Sequence, residues 1–207
     1  MTRGSAASRR RLCTVLAVLA AAVALPGIAQ AALSCADGTT KRPFMPWLDP
    51  LAYVLAPGGA FESDSTSWRL ANGAQIVAGN EPFKANAASD DQSLYLPAGS
   101  SATSPYICVG LLDPTVRFFA KNRGSLLGAV NVEALIRTPL GVVTLPVGAA
   151  AGLGVWAPSL PLPLLADALA PLDLDDGTAE VAFRFKPTGL LAAWQIDDVY
   201  VDPFRVR

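Results

Sequence analysis

From about residue 53 onward, the apolar residues of this chain occur in short runs that turn residues interrupt every few positions. Pro57-Gly58-Gly59, Asn72-Gly73 and Pro97-Ala98-Gly99 each separate two such runs. Short runs rich in Val, Ile, Tyr and Phe, broken by Gly, Pro and Asn-Gly, are typical of antiparallel strands joined by tight turns. Hardly any stretch carries the period of an amphipathic helix. The chain is therefore predicted to be all-β.

One segment near the carboxyl end shows the strand period clearly. In residues 179–186, Val181, Phe183 and Phe185 occupy one set of alternate positions, and the charged residues Glu180, Arg184 and Lys186 belong to the other set. A period of two places the apolar residues on one face of a strand and the charged residues on the other. About nine to eleven strands of this kind, spaced every 8–12 residues, predict a β-sandwich of two antiparallel sheets.

The amino terminus has the pattern of a secretory signal. Basic residues ending at Arg11 are followed by Leu12–Leu25, which contains one polar residue, and then by the small-residue pattern Ala29-Gln30-Ala31. The apolar run is shorter than the ~20 residues that span a bilayer, so cleavage after Ala31 is preferred to a retained membrane anchor. We expect residues 1–31 to be removed and the protein to be secreted by a bacterial cell, through either the general or the twin-arginine route.

Charge and composition exclude several classes of function. Four of the 16 basic residues and none of the 17 acidic ones lie in residues 1–31, so the chain from residue 32 has a formal net charge of −5. Negative charge argues against nucleic acid or an anionic membrane surface as partner. The sequence has no histidine, which excludes Ser-His-Asp and Cys-His nucleophilic sites and His-containing zinc sites. We expect a monomer with no nucleic-acid partner.

Two cysteines remain after the predicted cleavage, Cys35 and Cys108. In an oxidising compartment such a pair is expected to form a disulfide, and loop-entropy models give about 4 kcal/mol of stabilisation for a closure this long. A reactive thiol is the alternative, but no histidine or basic cluster is present to lower a thiol pKa.

The exported chain is predicted to have two parts, an extended arm at residues 32–52 and a β-sandwich domain at residues 53–207. The arm contains three prolines, and Phe44 and Trp47 are expected to hold it to the domain by becoming buried. Prolines at alternate positions in residues 158–172 forbid a central strand, so an edge strand or a single helical turn is expected there.

Several motifs occur in an informative order: Phe61-Glu62-Ser63-Asp64, an early Trp68, Ser93-Leu94-Tyr95-Leu96 and a closing Ile196-Asp197-Asp198-Val199. In this order they resemble the jelly rolls of the carbohydrate-binding-module and galactose-binding-like superfamily over residues 53–207. The resemblance implies a non-catalytic, carbohydrate-binding-like jelly-roll β-sandwich, with a polysaccharide or cell-wall glycan as partner and Trp68 in the core. The proline-rich arm lies outside that pattern and suggests a distinct secreted bacterial family.

The resemblance also implies a structural calcium site. Glu62 and Asp197 or Asp198 occupy positions at which many such jelly rolls join the first and last strands through Ca²⁺, which takes six to eight oxygen ligands. The alternative is that Glu62 caps a turn or pairs with Arg69 or Arg205. In that case the two aspartates lie in a β-bulge that faces water.

Sugar binding in such a domain requires an exposed aromatic side chain, because pyranose C–H faces stack on aromatic rings. Trp156, which follows the glycine-rich segment Gly148–Gly154, is the preferred platform, and Tyr106 beside Pro105 is second. Most of the other Trp and Tyr residues are expected in the core.

Two other functions remain open. One is a structural or interaction protein of the cell envelope with the same fold and no sugar ligand. The other, less favoured, is a carboxylate-based glycoside hydrolase or lyase, because glutamates such as Glu81, Glu133 and Glu180 offer many possible pairs but no distinguishing motif. The acidic segment at residues 173–177 lacks the glutamate that a calcium-binding loop needs, since Phe183 stands at that position.

Overall fold

The computed structural model describes Met1 and residues 39–110, 115–164 and 178–202. In these residues the chain forms strands and two short 3-10 helices, Met45–Trp47 and Ser65–Ser67. The strands are β1 (Thr40–Lys41), β2 (Tyr53–Leu55), β3 (Arg69–Ala71), β4 (Gln75–Ala78), β5 (Gln92–Leu96), β6 (Ser101–Thr103), β7 (Ile107–Gly110), β8 (Thr115–Asn122), β9 (Ala129–Thr138), β10 (Gly141–Ala150), β11 (Ala157–Pro158), β12 (Leu162–Pro163), β13 (Thr178–Thr188) and β14 (Trp194–Val201). The all-β prediction is confirmed.

The chain divides into two compact units, residues 1–32 and residues 33–207, and every described core side chain belongs to the second. Apart from Met1, the predicted signal segment lies outside the described residues. Within the described ranges, no helix has the length and apolar character needed to cross a membrane.

One sheet, called sheet A, is organised around β14. On one side β14 pairs with β8, and on the other it pairs with β5 through Trp194–Ile196 and with β2 through Tyr200 and Val201. Strand β4 extends the sheet beyond β5, and β1 extends it beyond β2. The short strands β11 and β12 pair with the free edge of β8, so the proline-rich segment supplies edge strands. The resemblance predicted that the first and last strands of the domain at residues 53–207 lie side by side, and β2 and β14 pair in this way.

The second sheet, called sheet B, is organised around β13. Strand β9 pairs along one side of β13, and β6 and β7 pair with successive parts of the other side. Strand β10 lies outside β9, and β3 lies outside β6. Within the described residues, the strand pairings of both sheets are antiparallel, as predicted.

The two sheets enclose one apolar core. Val181, Phe183 and Phe185 of β13 are at most 1% exposed, which confirms the alternation predicted for that strand. Trp68 is buried with its ring 4.9 Å from that of Phe61 and 5.9 Å from that of Phe185, so its predicted place in the core is confirmed.

Strand β14 contains a bulge between Asp197 and Tyr200, where its register with β8 shifts. Asp198 has a positive φ of 48°, a conformation found at bulges and tolerated by Asp more readily than by most residues. Before the bulge Ile196 faces the core, and after it Val199 and Val201 do. The extra residue therefore keeps both halves of the strand turned inward.

Candidate functional site

Four side chains form a row across the outer face of sheet A. The strand register pairs Gln75 with Tyr95, Tyr95 with Gln195 and Gln195 with Lys121. Because the residues on either side of Tyr95 and Gln195 belong to the core, alternation directs this row away from the core. Tyr95 and Lys121 are half-buried, and Gln75 is exposed.

Trp156 extends the row at the edge of the sheet. Strand β11 pairs Ala157 with Ala120, so the preceding residue lies beside Lys121. The Trp156 indole is half-buried and packs against an aromatic cluster on the outer face of sheet A. We call the whole set the platform row: Gln75, Tyr95, Gln195, Lys121 and Trp156.

The platform row is longer than a single sugar ring. Neighbouring strands lie about 4.8 Å apart, so the three spacings between Trp156 and Tyr95 amount to about 14 Å. Between these two aromatic residues lie the ammonium of Lys121 and the amide of Gln195. The amide nitrogen of Gln195 donates to Ser93 Oγ at 3.2 Å, which fixes the orientation of the amide.

The other half of the same face is closed by the arm. The Phe44 ring lies 5.3 Å from Phe119, 5.1 Å from Tyr53 and 5.7 Å from Tyr200, and all four side chains are fully buried. Trp47 is half-buried and makes an edge contact with Phe119 at 5.4 Å. This half of the sheet therefore packs against the chain itself.

Arg117 of β8 binds the arm through an ion pair with Asp49 and a contact with the Phe44 ring. It is 4% exposed, and its Nε and Nη2 donate to the Ser159 carbonyl at 3.0 and 2.8 Å. Its Nη1 forms an ion pair with Asp49, and its guanidinium carbon lies 4.1 Å from the Phe44 ring centroid. Tyr53 Oη donates to the same Asp49 carboxylate at 2.7 Å. Burial, with this hydrogen bond, raises the pKa of Tyr53 to about 12.

The structure separates the two predicted sugar-binding aromatics. Trp156 stands in the platform row, whereas Tyr106 precedes β7 of sheet B, where the Arg137 guanidinium carbon lies 3.9 Å from its ring centroid. Sequence reasoning missed Tyr95 and Gln195. Alternation in Ser93–Leu96 shows which face Tyr95 occupies, but it does not show which strands are neighbours.

Four buried carboxylates lie near the bulge, where the β4–β5 loop meets β14. Asp197 Oδ2 accepts the Glu81 N–H at 3.0 Å, and Asp197 Oδ1 accepts the Asp198 N–H at 2.8 Å. Asp198 Oδ2 accepts the Asn86 N–H at 3.0 Å. Each aspartate thus holds the loop backbone to β14. We call Glu81, Asp90, Asp197 and Asp198 the acidic cluster; none is more than 5% exposed.

The two acids contributed by the loop bind the loop itself. Glu81 Oε1 accepts the Ala85 N–H at 2.6 Å, and its Oε2 accepts the Phe83 N–H. Asp90 Oδ2 accepts Asn86 Nδ2 at 2.9 Å. These bonds define the path of the loop around the bulge.

The carboxylates of the acidic cluster repel one another, and Lys41 and Lys84 are cations that hydrogen-bond beside them. Burial raises the pKa of Asp197 to about 9, and the charge of Asp198 adds to the shift. Burial likewise raises the pKa of Asp198 to about 7, with Glu81 as the main charged contributor. Lys41 works in the opposite direction, since its ammonium donates to Asn86 beside the cluster.

Three buried oxygens in this region have no hydrogen-bond partner: Asn80 Oδ1, Asp198 Oδ1 and Tyr200 Oη. An unpartnered buried oxygen costs free energy, and it is the kind of atom that a cation or an ordered water binds. Within the described residues, no group of three His, Cys, Asp or Glu side chains is by itself arranged to hold a metal ion. A cation here would therefore also need amide, carbonyl, hydroxyl or water oxygens.

Of the three predicted calcium ligands, the structure brings Asp197 and Asp198 together but not Glu62. The Glu62 Oε1 accepts the N–H groups of Asp91 and Gln92, each at 2.9 Å, at the start of β5. The two aspartates do lie in a bulge, the predicted alternative, but they are fully buried and do not face water.

Sequence reasoning missed Glu81 and Asp90. Their loop reaches β14 through contacts between residues more than a hundred positions apart, such as Glu81 with Asp197. Nothing in the local sequence of the loop indicates such a long-range contact.

Cys108 lies in β7, and Cys35 lies outside the described residues. The disulfide between them stays a prediction. A count of free thiols in the unfolded, unreduced protein tests it directly.

No family model matches the sequence, and no curated protein sequence matches it. Solved structures that resemble it include the CBM22-1 xylan-binding domain from Paenibacillus barcinonensis Xyn10C, at 14% identity and a TM-score of 0.45, covering 69% of this chain and 89% of that one. Another is the C-terminal family 22 carbohydrate binding module of Clostridium thermocellum Xyn10B, at 12% identity and a TM-score of 0.48, covering 72% and 93%.

A third similar structure is TmCBM61 in complex with β-1,4-galactotriose, at 14% identity and a TM-score of 0.41, covering 72% of this chain and 96% of that one. These proteins belong to the class of carbohydrate-binding modules that the sequence motifs resemble. At such identities the likeness concerns the fold alone.

Proposed function

We propose that this chain is a secreted, non-catalytic protein that binds polysaccharide along the platform row. The observation that carries the proposal is that the strand register places Trp156, Lys121, Gln195 and Tyr95 side by side on the outer face of sheet A. Trp156, Lys121 and Tyr95 are half-buried, and Gln195 is 9% exposed. Aromatic faces stack on the C–H faces of sugar rings, and the amide and ammonium can bind hydroxyl groups. A row of about 14 Å suits a sugar chain better than a single monosaccharide.

The absence of a carboxylate from the platform row supports binding without catalysis. A glycosidase places two carboxyl groups about 5–10 Å apart beside the scissile bond. Asp197, which follows Gln195 on the same face, is fully buried, and both its oxygens accept backbone N–H groups. It is therefore unsuited to act on a substrate lying along the row.

Isothermal titration and pull-down with insoluble polysaccharides test this function. Trp156→Ala and Tyr95→Ala are each expected to weaken binding by roughly tenfold, because each removes one stacking face. Tyr106→Ala is the matched control, since this half-buried tyrosine belongs to the other sheet and its loss should leave affinity unchanged. Equal losses in Tyr95→Ala and Tyr106→Ala, or no binding of any glycan, would contradict the proposal and favour the envelope protein without a sugar ligand.

We also propose that the acidic cluster holds a structural calcium ion. Asp198 Oδ1 and Asn80 Oδ1 would be ligands, with the carboxylate of Glu81 beside them. The support is the fit of these oxygens to a hard cation, since Ca²⁺ takes six to eight oxygen ligands and these two side-chain atoms are buried without partners. A bound divalent cation would offset the negative charge of the acidic cluster and tie the β4–β5 loop to β14.

Thermal unfolding in calcium and in chelator tests this ion. Calcium is expected to raise the Tm of the wild-type protein, and Asp198→Asn should abolish the rise. Glu62→Gln is the control, because Glu62 has its own backbone partners outside the acidic cluster and should keep the full response. Identical unfolding curves for the wild type with and without chelator would contradict the proposed calcium site.

A further inference from the structure

Six large aliphatic side chains project from one end of the sandwich, each between 65% and 93% exposed. They lie in the connections between β8 and β9, between β10 and β11, and between β13 and β14. Single exposed leucines are common on soluble proteins, but six on adjacent loops need an explanation. We call this set the apolar crown: Leu126, Leu127, Leu153, Val155, Leu190 and Leu191.

The strand register brings the three loops to the same end of the molecule. Asn122 at the end of β8 pairs with Trp194 at the start of β14. On the other sheet, Ala129 at the start of β9 pairs with Thr188 at the end of β13, and the end of β10 pairs with the same part of β9. The apolar crown is therefore one surface formed by both sheets.

Hydrogen bonds between the crown loops hold them together, and the leucine side chains of these loops point outward. The Ser125 N–H donates to the Leu191 carbonyl at 3.1 Å, and Asn122 Nδ2 donates to the Gly152 carbonyl at 3.1 Å. A Cβ at Gly124 would lie 2.2 Å from the Leu191 carbonyl oxygen, so this close approach requires glycine. The backbone contacts thus fix the loops, and the leucines between them remain exposed.

The charge at this end differs from that of the chain as a whole. The chain from residue 32 has a net charge of −5, but the five described connections at the crown end contain no Asp or Glu. They contain the exposed Arg123, and Lys121 precedes it at the end of β8. The connections concerned are residues 72–74, 97–100, 123–128, 151–156 and 189–193.

We infer that the apolar crown docks on the surface of a lipid bilayer that contains anionic lipids. Aliphatic side chains at protruding loop ends, with cations beside them and no carboxylates, fit a surface whose interior is apolar and whose headgroups are negative. The overall negative charge led us to expect no anionic membrane partner, but the local distribution of charge favours one. Bilayer docking does not require sugar binding, although the two surfaces adjoin: Lys121 belongs to the platform row, and Trp156 of that row follows Val155 of the crown.

Vesicle flotation with the chain from residue 32 onward tests the inference, since that chain retains every described core residue and lacks the predicted signal. Wild-type protein is expected to float with vesicles in which roughly a quarter of the lipid is phosphatidylglycerol, and less with pure phosphatidylcholine. The double variant L126S/L127S should lower the vesicle-bound fraction by roughly tenfold or more, and L190S/L191S should act similarly. Arg123→Gln should lower it by roughly fivefold, on anionic vesicles only.

Leu140→Ser is the matched control, because Leu140 is fully exposed in the β9–β10 hairpin, away from the crown. It should leave flotation unchanged, and unchanged unfolding curves should show that the crown variants fold. Absence of wild-type flotation overturns the inference, as does an equal loss in L140S. A dimer in sedimentation that L126S/L127S abolishes, without vesicle binding, also overturns it and makes a second copy of the chain the partner. Sugar titration on the same samples keeps a failure here distinct from a failure of the platform row.

Discussion

The two halves of the outer face of sheet A differ in how far other segments of the chain cover them. Over the carboxyl-terminal half of β14, Phe44 of the arm seals the surface with aromatic contacts, and Arg117 lies beneath it. Over the amino-terminal half, the platform row combines aromatic, amide and ammonium groups that are partly exposed, with Gln195 the most buried of them at 9%. The closed half is covered by apolar packing from a separate segment of the chain, whereas in the other half three of the five side chains are half-buried and Gln75 is exposed.

Removing Arg117 should damage the closed half most. Arg117→Met removes the cation that pairs with the Asp49 carboxylate, which keeps its bonds from Tyr53 and the Leu51 N–H, and removes both side-chain donors to the Ser159 carbonyl. We therefore expect a loss of about 3–5 kcal/mol in the free energy of unfolding. Urea unfolding measures it. Equal stability of the variant and the wild type would mean that the arm is not fastened through this residue.

Removing the aromatic seal should have the next largest effect. Phe44→Ala is expected to cost about 3 kcal/mol, because the ring is fully buried among three other aromatic side chains. Phe83→Ala is the comparison, since Phe83 is 46% exposed and should cost about 1 kcal/mol or less. The same denaturant series measures both, and similar losses would show that the seal is not localised at Phe44.

Acid should loosen the closed half through Asp49. Burial by itself raises the pKa of this carboxyl, but hydrogen bonds from Tyr53, the Leu51 N–H and Arg117 outweigh burial and hold the pKa below its ordinary value of 3.8. The stabilisation is therefore fully present above pH 3.8 and is lost as the pH falls through the lowered pKa. Asp49→Asn should remove about 1 kcal/mol near neutral pH and make the acid limb of the stability profile shallower. Parallel acid limbs for the variant and the wild type would contradict this role.

The smallest effect is expected on the outer face of sheet B, which the described part of the arm does not cover. Arg137 pairs with Glu180 at 2.9 Å, and both side chains are a quarter to a third exposed. Arg137→Gln should cost about 0.5 kcal/mol in a urea titration, since solvent screens such a pair. If Arg137→Gln lost nearly as much free energy of unfolding as Arg117→Met, the ion pairs on the two sheets would contribute equally to stability. The proposed difference between the two outer faces would then be wrong.

Local patterns predicted most of the fold. The alternation around Phe183 located β13 and its buried face, and the turn motifs marked the ends of the strands near Trp68 and Tyr95. These predictions hold because period two and turn chemistry are properties of a few consecutive residues.

The candidate site was predictable only in part. Trp156 is half-buried at the edge of sheet A, and its role as a sugar platform stays a prediction; its neighbours in the row are set by strand register between residues far apart in the chain. Tyr106 looked equivalent in its local sequence and lies on the other sheet. For the same reason Glu62 was grouped with Asp197 and Asp198, although the loop that reaches them contains Glu81.

The bulge in β14 constrains how this strand can change in length. Asp198 is one extra residue in the strand, so the residues that face the core are even-numbered before it and odd-numbered after it. Trp194 and Ile196 belong to the first set, and Val199 and Val201 belong to the second. Deleting any single residue between Ile196 and Val199 would remove the extra residue and turn one pair of apolar side chains toward solvent. Relatives of this chain should therefore keep one extra residue at this point of the strand. A natural deletion there should occur only together with a nearby insertion that again turns the apolar side chains of both halves toward the core.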